Sequence, residues 1–204
     1  ADHARWVKVG MTLFYRYGPG IVQEMKDRGF NVFLDLKVHD IPFQVHGAVR
    51  SASLSGADII SIHALGGSHM IASGRSGAAE AAEIRGVGEE GRTKLVAISI
   101  LTSMNEEDLS SIGVRDTVAS EVERLAKLSY SAGADGLVCS AQEASSMREI
   151  SGPEALIITP GIRARGAEKG DQQRTATPAS AISAGASKLV IGRPITEAKD
   201  PCMA

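Results

Sequence analysis

With 204 residues, 43% of them hydrophobic and 23% charged, the chain has the size and composition of one domain built around a sizeable core. A formal charge of −2 excludes the basic footprint of a nucleic-acid or membrane-surface binder, and no apolar run reaches the length of a membrane span. Two cysteines, Cys139 and Cys202, lack metal-ligand spacing, and the opening Ala1-Asp2-His3-Ala4-Arg5 is not a targeting sequence, so we expect a reduced, cytoplasmic protein whose partners are small molecules.

In chain order, β-rich runs fall at 6–10, 32–37, 58–64, 94–101, 136–141, 155–162 and 188–195, with helical stretches such as 20–28, 44–54, 70–84 and 118–131 between most of them. That alternation predicts a parallel α/β sheet. Three junctions are alike: Ser55-Gly56-Ala57-Asp58, Ala132-Gly133-Ala134-Asp135 and Ala184-Gly185-Ala186-Ser187. Each reads as a helix stopped by a left-handed glycine and followed at once by the next strand. Polar or glycine-rich chemistry gathers where strands pass into helices, which is the active-face pattern of a (β/α)₈ barrel. A doubly wound sheet is disfavoured, because no Gly-x-Gly-x-x-Gly follows a strand. Seven runs against eight strands predict an incomplete barrel, a single domain over 1–204 truncated at both ends.

The stretch Asp35-Leu36-Lys37-Val38-His39-Asp40-Ile41-Pro42 carries the strongest chemical signal. Period-two alternation puts Phe33, Asp35 and Lys37 on one face and Val32, Leu34 and Leu36 on the other, which is to be covered by helices. Charges on the inner face are costly unless paired. Pro42 disfavours helical geometry at Ile41, so Asp40 is expected in the turn. On the preceding strand Trp6, Lys8 and Gly10 share a face, which brings Lys8 beside Asp35 and Lys37. A lone ion pair would be structural; a Lys-Asp-Lys-Asp array at a strand end points to a site, each carboxylate keeping an ammonium charged.

Further along, Thr102 and Ser103 follow an apolar run, and either hydroxyl suits a helix cap as well as a ligand. His63 is expected as a hydrogen-bonded histidine on the inward face, and His39 as exposed in its turn. Thr159 to Arg163 and the pair Gly192-Arg193 close the last two strands, where such barrels bind phosphate with backbone amides and an arginine fork. For Arg193 a surface salt bridge fits its context equally well. The polar, glycine-punctuated segment 163–174 between them reads as a surface loop or, from its place beside the phosphate candidates, as a closing lid.

These residues together resemble the orotidine 5′-monophosphate decarboxylase family in its bacterial form. The matching stretches are Lys8-Val9-Gly10, the Asp35 to Pro42 run, Leu101-Thr102-Ser103-Met104, Val138-Cys139-Ser140-Ala141-Gln142-Glu143, Thr159-Pro160-Gly161-Ile162-Arg163, Gly170-Asp171-Gln172 and Val190-Ile191-Gly192-Arg193-Pro194. The resemblance implies a cofactor-independent decarboxylase on a (β/α)₈ barrel. Lys37 then looks like the lysine that protonates pyrimidine C6, Asp35 like the aspartate near the departing carboxylate, and Lys8 like the ribose-contacting lysine. Asp40 and Ile41 resemble the pair that reaches the neighbouring subunit's site in a homodimer, and Thr102 resembles a pyrimidine-side ligand. Arg163, Gln172, Gly192 and Arg193 look like phosphate contacts, with Gln172 on the lid. The family's first strand, with its ribose-binding aspartate, and its closing helix have no counterpart here. Two alternatives stand beside this one: a magnesium-dependent sugar-phosphate decarboxylase of the 3-keto-L-gulonate 6-phosphate type, which shares the D-x-K-x-x-D element, and a non-catalytic phosphate-ligand-binding fragment.

Overall fold

Parallel strands alternating with helices account for residues 4–163 and 175–203, which a computed structural model describes. They cluster into two compact units, one running up to Ala97 together with Leu128–Asp135, the other comprising Ile98–Lys127 and the residues from Gly136 onward. The first holds β1 (Trp6–Gly10), α1 (Met11–Tyr17), α2 (Gly20–Asp27), β2 (Asn31–Val38), α3 (Pro42–Leu54), β3 (Ile59–His63), a 3₁₀ turn (Ala64–Gly66), α4 (Gly67–Arg85) and β4 (Lys94–Ile98, whose last residue counts with the second unit). Its strands neighbour one another in sequence order, with β1 parallel to β2 and β2 parallel to β3. The second holds α5 (Glu106–Ser111), α6 (Val118–Ser131, whose last turn counts with the first unit), β5 (Gly136–Val138), α7 (Ala144–Ser151), β6 (Leu156–Thr159), α8 (Pro178–Ser183), β7 (Lys188–Leu189) and α9 (Arg193–Thr196). There β5, β6 and β7 again pair in parallel and in order.

Strand burial explains why alternation is weak in this sequence. Ile59, Ile60, Ser61 and Ile62 are all buried, as are Val32, Phe33 and Leu34. Parallel strands enclosed on both faces need apolar residues at every position, and each such side chain contributes roughly 1.5–3 kcal/mol on burial.

The three similar junctions do the same work. Gly56, Gly133 and Gly185 have φ of 96°, 93° and 104°, a conformation that a β-carbon disfavours. The residue two positions on then ties down the previous strand. Asp58 accepts the Val32 N–H at 2.7 Å and the Lys26 ammonium at 2.8 Å, while its own N–H bonds the Val32 carbonyl. Asp135 does this for Leu95, with Arg92 as the cation. Ser187 does it for Ile157, with Arg148 donating at 2.8 Å. The repeated tripeptide is therefore a staple holding the start of one strand against the next.

Three expectations need correcting. The runs 94–101, 136–141, 155–162 and 188–195 all extend past the strands they contain. Ile100, Cys139 and Ile162 stay buried after β4, β5 and β6 end, so apolar character continues past the strands themselves. In the last run Gly192 (φ −107°, ψ −100°) turns the chain and Arg193-Pro194 opens α9 instead of prolonging β7. Thr102 and Ser103 do not cap α5 either; Asn105 does, in a capping box with Asp108.

Candidate active site

In the first unit, parallel pairing of β1 with β2 sets Lys8 opposite Phe33 and Gly10 opposite Asp35. Lys8 Nζ then lies 3.3 Å from Asp35 Oδ2, and Lys37 Nζ lies 2.9 Å from Asp35 Oδ1. The carboxylate is nearly buried between two half-exposed ammonium groups. Burial pulls its pKa upward; the charge and hydrogen bond of Lys37, then Lys8 and the hydroxyl of Ser61, outweigh that and hold the group below its ordinary value.

Strict alternation does not carry Lys37 to this position. Between Leu34 and Val38 the register of β2 slips, four steps matching the two from Ile60 to Ile62 on β3. Lys37 has φ 52°, the one positive φ outside glycine among the described residues. A bulge that re-aims a side chain beside a functional site is a known use of such strain. Its N–H is held by Ser61 Oγ at 2.9 Å, and the same hydroxyl donates to Asp35 Oδ1 at 2.9 Å. Sequence reading passed over Ser61, whose one signal is a hydroxyl inside an otherwise isoleucine-rich strand.

Past the bulge, Asp40 is exposed in the turn, as expected, and its Oδ1 accepts the Ile41 N–H at 2.6 Å. Asp40 is thus placed apart from the Lys8–Asp35–Lys37 group in its bonding. Ile41 precedes α3, Pro42 occupies its first turn, and Ile41 and Phe43 are 63% and 80% exposed, two apolar side chains without cover. His39 is exposed and stacks on His63, ring centroids 5.4 Å apart and planes 19° apart. His63 Nδ1 accepts the Leu65 N–H, and burial, followed by His39 and Lys37, lowers its pKa to about 4.

In the second unit, Thr102 lies in the turn closed by Met104 N–H on the Leu101 carbonyl. Arg163 is half-buried, its N–H bonded to the Ala176 carbonyl and its Nη1 to the Ile162 carbonyl. Thr159, at the end of β6, has a buried hydroxyl with no hydrogen-bond partner among the described residues. Gly192 and Arg193 are exposed at the start of α9. Gln172 and the lid segment beyond Arg163 lie outside the described residues. A shallow cavity of about 450 Å³ is lined by Met104, Glu106, Val118, Gln142 and Glu143. Among the described residues no group of three or more His, Cys, Asp or Glu is arranged to hold a metal ion.

Parallel βα units with a Lys-Asp-Lys group at a strand end define the class: an α/β protein with a charged site at the end of its parallel strands. The family model for orotidine 5′-phosphate decarboxylase / HUMPS matches residues 1–204, and the chain belongs to that family. It is 48% identical over 195 residues to the orotidine 5′-phosphate decarboxylase of Nitrosomonas europaea, covering 96% of this chain and 80% of that protein. The enzyme of the same name from Chromohalobacter salexigens is 46% identical over 198 residues, covering 97% of this chain and 80% of its own. The crystal structure of orotidine 5′-phosphate decarboxylase from Lactobacillus acidophilus superposes with a TM-score of 0.82 at 38% identity, covering 97% of this chain and 82% of that one. The fold is accordingly that of the (β/α)₈ barrel class, seven of whose parallel strands are described here.

Proposed function

We propose that the protein converts orotidine 5′-monophosphate to UMP in de novo pyrimidine synthesis, as a cytoplasmic homodimer and without cofactor. The observation that carries the reading is the nearly buried Asp35 carboxylate gripped by Lys8 and Lys37 in a chain of this family. Breaking the bond from C6 to the carboxylate releases carbon dioxide and leaves the electron pair at C6, where the ring offers no ordinary sink. A preorganised ammonium stabilises that pair as it forms and costs no rearrangement at the moment of reaction. Lys37 then gives its proton to C6. Asp35 and the partner subunit's Asp40 keep Lys37 charged, and Asp35 faces the leaving carboxylate. Lys8 holds the ribose and the far side of Asp35, and Ile41 lines the neighbouring site. Thr102 contacts the pyrimidine, while Arg163, Gln172, Gly192 and Arg193 take the phosphate, whose binding energy supports lid closure. The proposed domain organisation is a single barrel.

Two experiments test this. Purified protein should form UMP from orotidine monophosphate at a rate that EDTA leaves unchanged; activity lost to the chelator and restored by magnesium would favour a sugar-phosphate decarboxylase. Lys37→Ala should lower kcat by at least the roughly 10²–10⁴-fold typical of acid–base groups, with a much smaller change in UMP affinity. A variant with near-normal kcat would remove Lys37 from the chemistry.

A further inference from the structure

We infer that Ser61 is a positioning residue, its one hydroxyl fixing both the Asp35 carboxylate and the bulged backbone that presents Lys37. What the array does rests on the decarboxylase reading above; what Ser61 touches rests on geometry alone. Ser61 is fully buried on β3, at the one residue between the register pairs where β2 spends its extra length. Its oxygen accepts the Lys37 N–H, the amide of the residue held at φ 52°. Its hydrogen goes to Asp35 Oδ1, the same oxygen that takes the Lys37 ammonium, while Oδ2 is left toward Lys8. A hydroxyl has one hydrogen, so this bond sets the plane of the carboxylate and with it which lysine each oxygen meets.

The geometry has a chemical consequence. Without the hydroxyl, the Lys37 amide loses its partner inside a closed strand pair, and the bulge loses what holds it in a conformation that side chains rarely adopt. Asp35 loses one of three donors to its charged form, the others being Lys8 from β1 and Lys37 on β2. The remaining titratable neighbours of the group are His63 at the end of β3, which feels the charge of Lys37, and His39 stacked on it. The Asp35 titration should therefore move upward, and Lys37 should be less accurately aimed.

The test compares wild type with Ser61→Ala, and the hydroxyl-bearing Ser61→Thr with its isostere Ser61→Val. In ligand-free protein, carboxyl NMR titration should show Asp35 shifted upward in the Ala and Val variants and near wild type in Thr. In turnover assays kcat should fall about 10–100-fold in Ala and Val, the range expected for a hydrogen bond to a charged group, with UMP affinity little changed and Thr largely rescued. A residue needed only for packing would lower the melting temperature and leave the carboxyl titration in place. An unshifted Asp35 in Ser61→Ala, or Thr and Val behaving alike, overturns the inference. Should Ser61→Ala fail to fold, Ser61→Cys, similar in size and a poor hydrogen-bonding group, takes its place in the same titration. Wild-type protein inactive on orotidine monophosphate would overturn the reading of the reaction instead, and the ligand-free titration would still decide the role of Ser61.

Discussion

Asp35 and His63 are both ionisable groups beside Lys37, and both pKa values are lowered to opposite effect: burial, then His39 and Lys37, lowers that of His63, while the burial that would raise that of Asp35 is overcome by Lys37 and Lys8. A lowered carboxyl pKa keeps Asp35 charged; a lowered imidazole pKa keeps His63 neutral. As pH falls, the unfolded chain protonates its histidine near the ordinary 6.5 while the folded one waits until about 4, so folding stability is lost across that window. Asp35 has the other sign and a separate window: the stability it contributes is present above its ordinary 3.8 and lost as pH falls below that. Urea melts from pH 7 to 4 should therefore show a decline that His63→Asn flattens, since an amide oxygen can still accept the Leu65 N–H. An unaltered slope would show that His63 is not held neutral. Arg193→Ala should weaken UMP binding by about 1.5–3 kcal/mol, the worth of a charge-assisted contact, and leave orotidine binding almost unchanged. Equal losses for both ligands would make Arg193 structural. The charged residues of this site were legible because charge within an apolar strand demands a partner, and alternation supplied Lys8. Ser61 and the His39–His63 stack were not, because a hydroxyl or an imidazole says nothing in sequence about the strand or loop that will lie across from it.

Among the elements, glycine stops were readable, most strand ends were not, and helix starts were readable only in part: α3 and α4 begin at Pro42 and Gly67, ahead of the expected 44 and 70. Val118–Ser131 is found with the expected bounds, and the Gly-Ala-Asp junctions announced both a stop and a strand. Buried residues continue beyond β4, β5 and β6, so composition could not show where those strands end. The bulge in β2 was invisible for a related reason: a slip of register changes no residue type, only what each faces. The packing of α3 against α4 gives a sharp test at this scale. A β-carbon on Gly77 would sit 2.3 Å from the His46 carbonyl oxygen, whereas one on Gly74 meets only side chains of Leu95, Val45 and Val49 at 3.4–3.5 Å. Gly77→Ala should force the helices apart and cost about 1–3 kcal/mol despite better helix propensity. Gly74→Ala should be neutral or stabilise by up to about 1 kcal/mol. Chemical denaturation of the two variants checks this, and similar values for both would contradict the close approach at Gly77. The Arg50 and His46 contacts to Glu80 also join these helices, and neither glycine takes part in them.

At the scale of the whole molecule, family membership fixes the barrel class, and the turn after β2 stands out as an uncovered surface. Asp40 bonds its own neighbour's amide instead of joining Lys37, and Ile41 and Phe43 on either side of Pro42 are exposed. A carboxylate held outward between apolar side chains suits a surface that another copy closes, and a two-fold pair would exchange the same turn in both directions. The proposed homodimer therefore makes a prediction no single-chain site can match. Lys37→Ala and Asp40→Ala should each be nearly inactive alone. Mixed in equal amounts, unfolded and refolded together, half of the dimers should be hybrids. In a hybrid, one site combines both defects, while the other takes an intact Lys37 from one chain and an intact Asp40 from its partner. Turnover should recover to about a quarter of the wild-type value. If Asp40 served the site of its own chain, every site in the mixture would carry one defect and nothing would return. Sedimentation of the wild type alongside would show whether the protein is a dimer at the assay concentration; recovery without a dimer, or a dimer without recovery, would each refute the exchange of Asp40 between subunits.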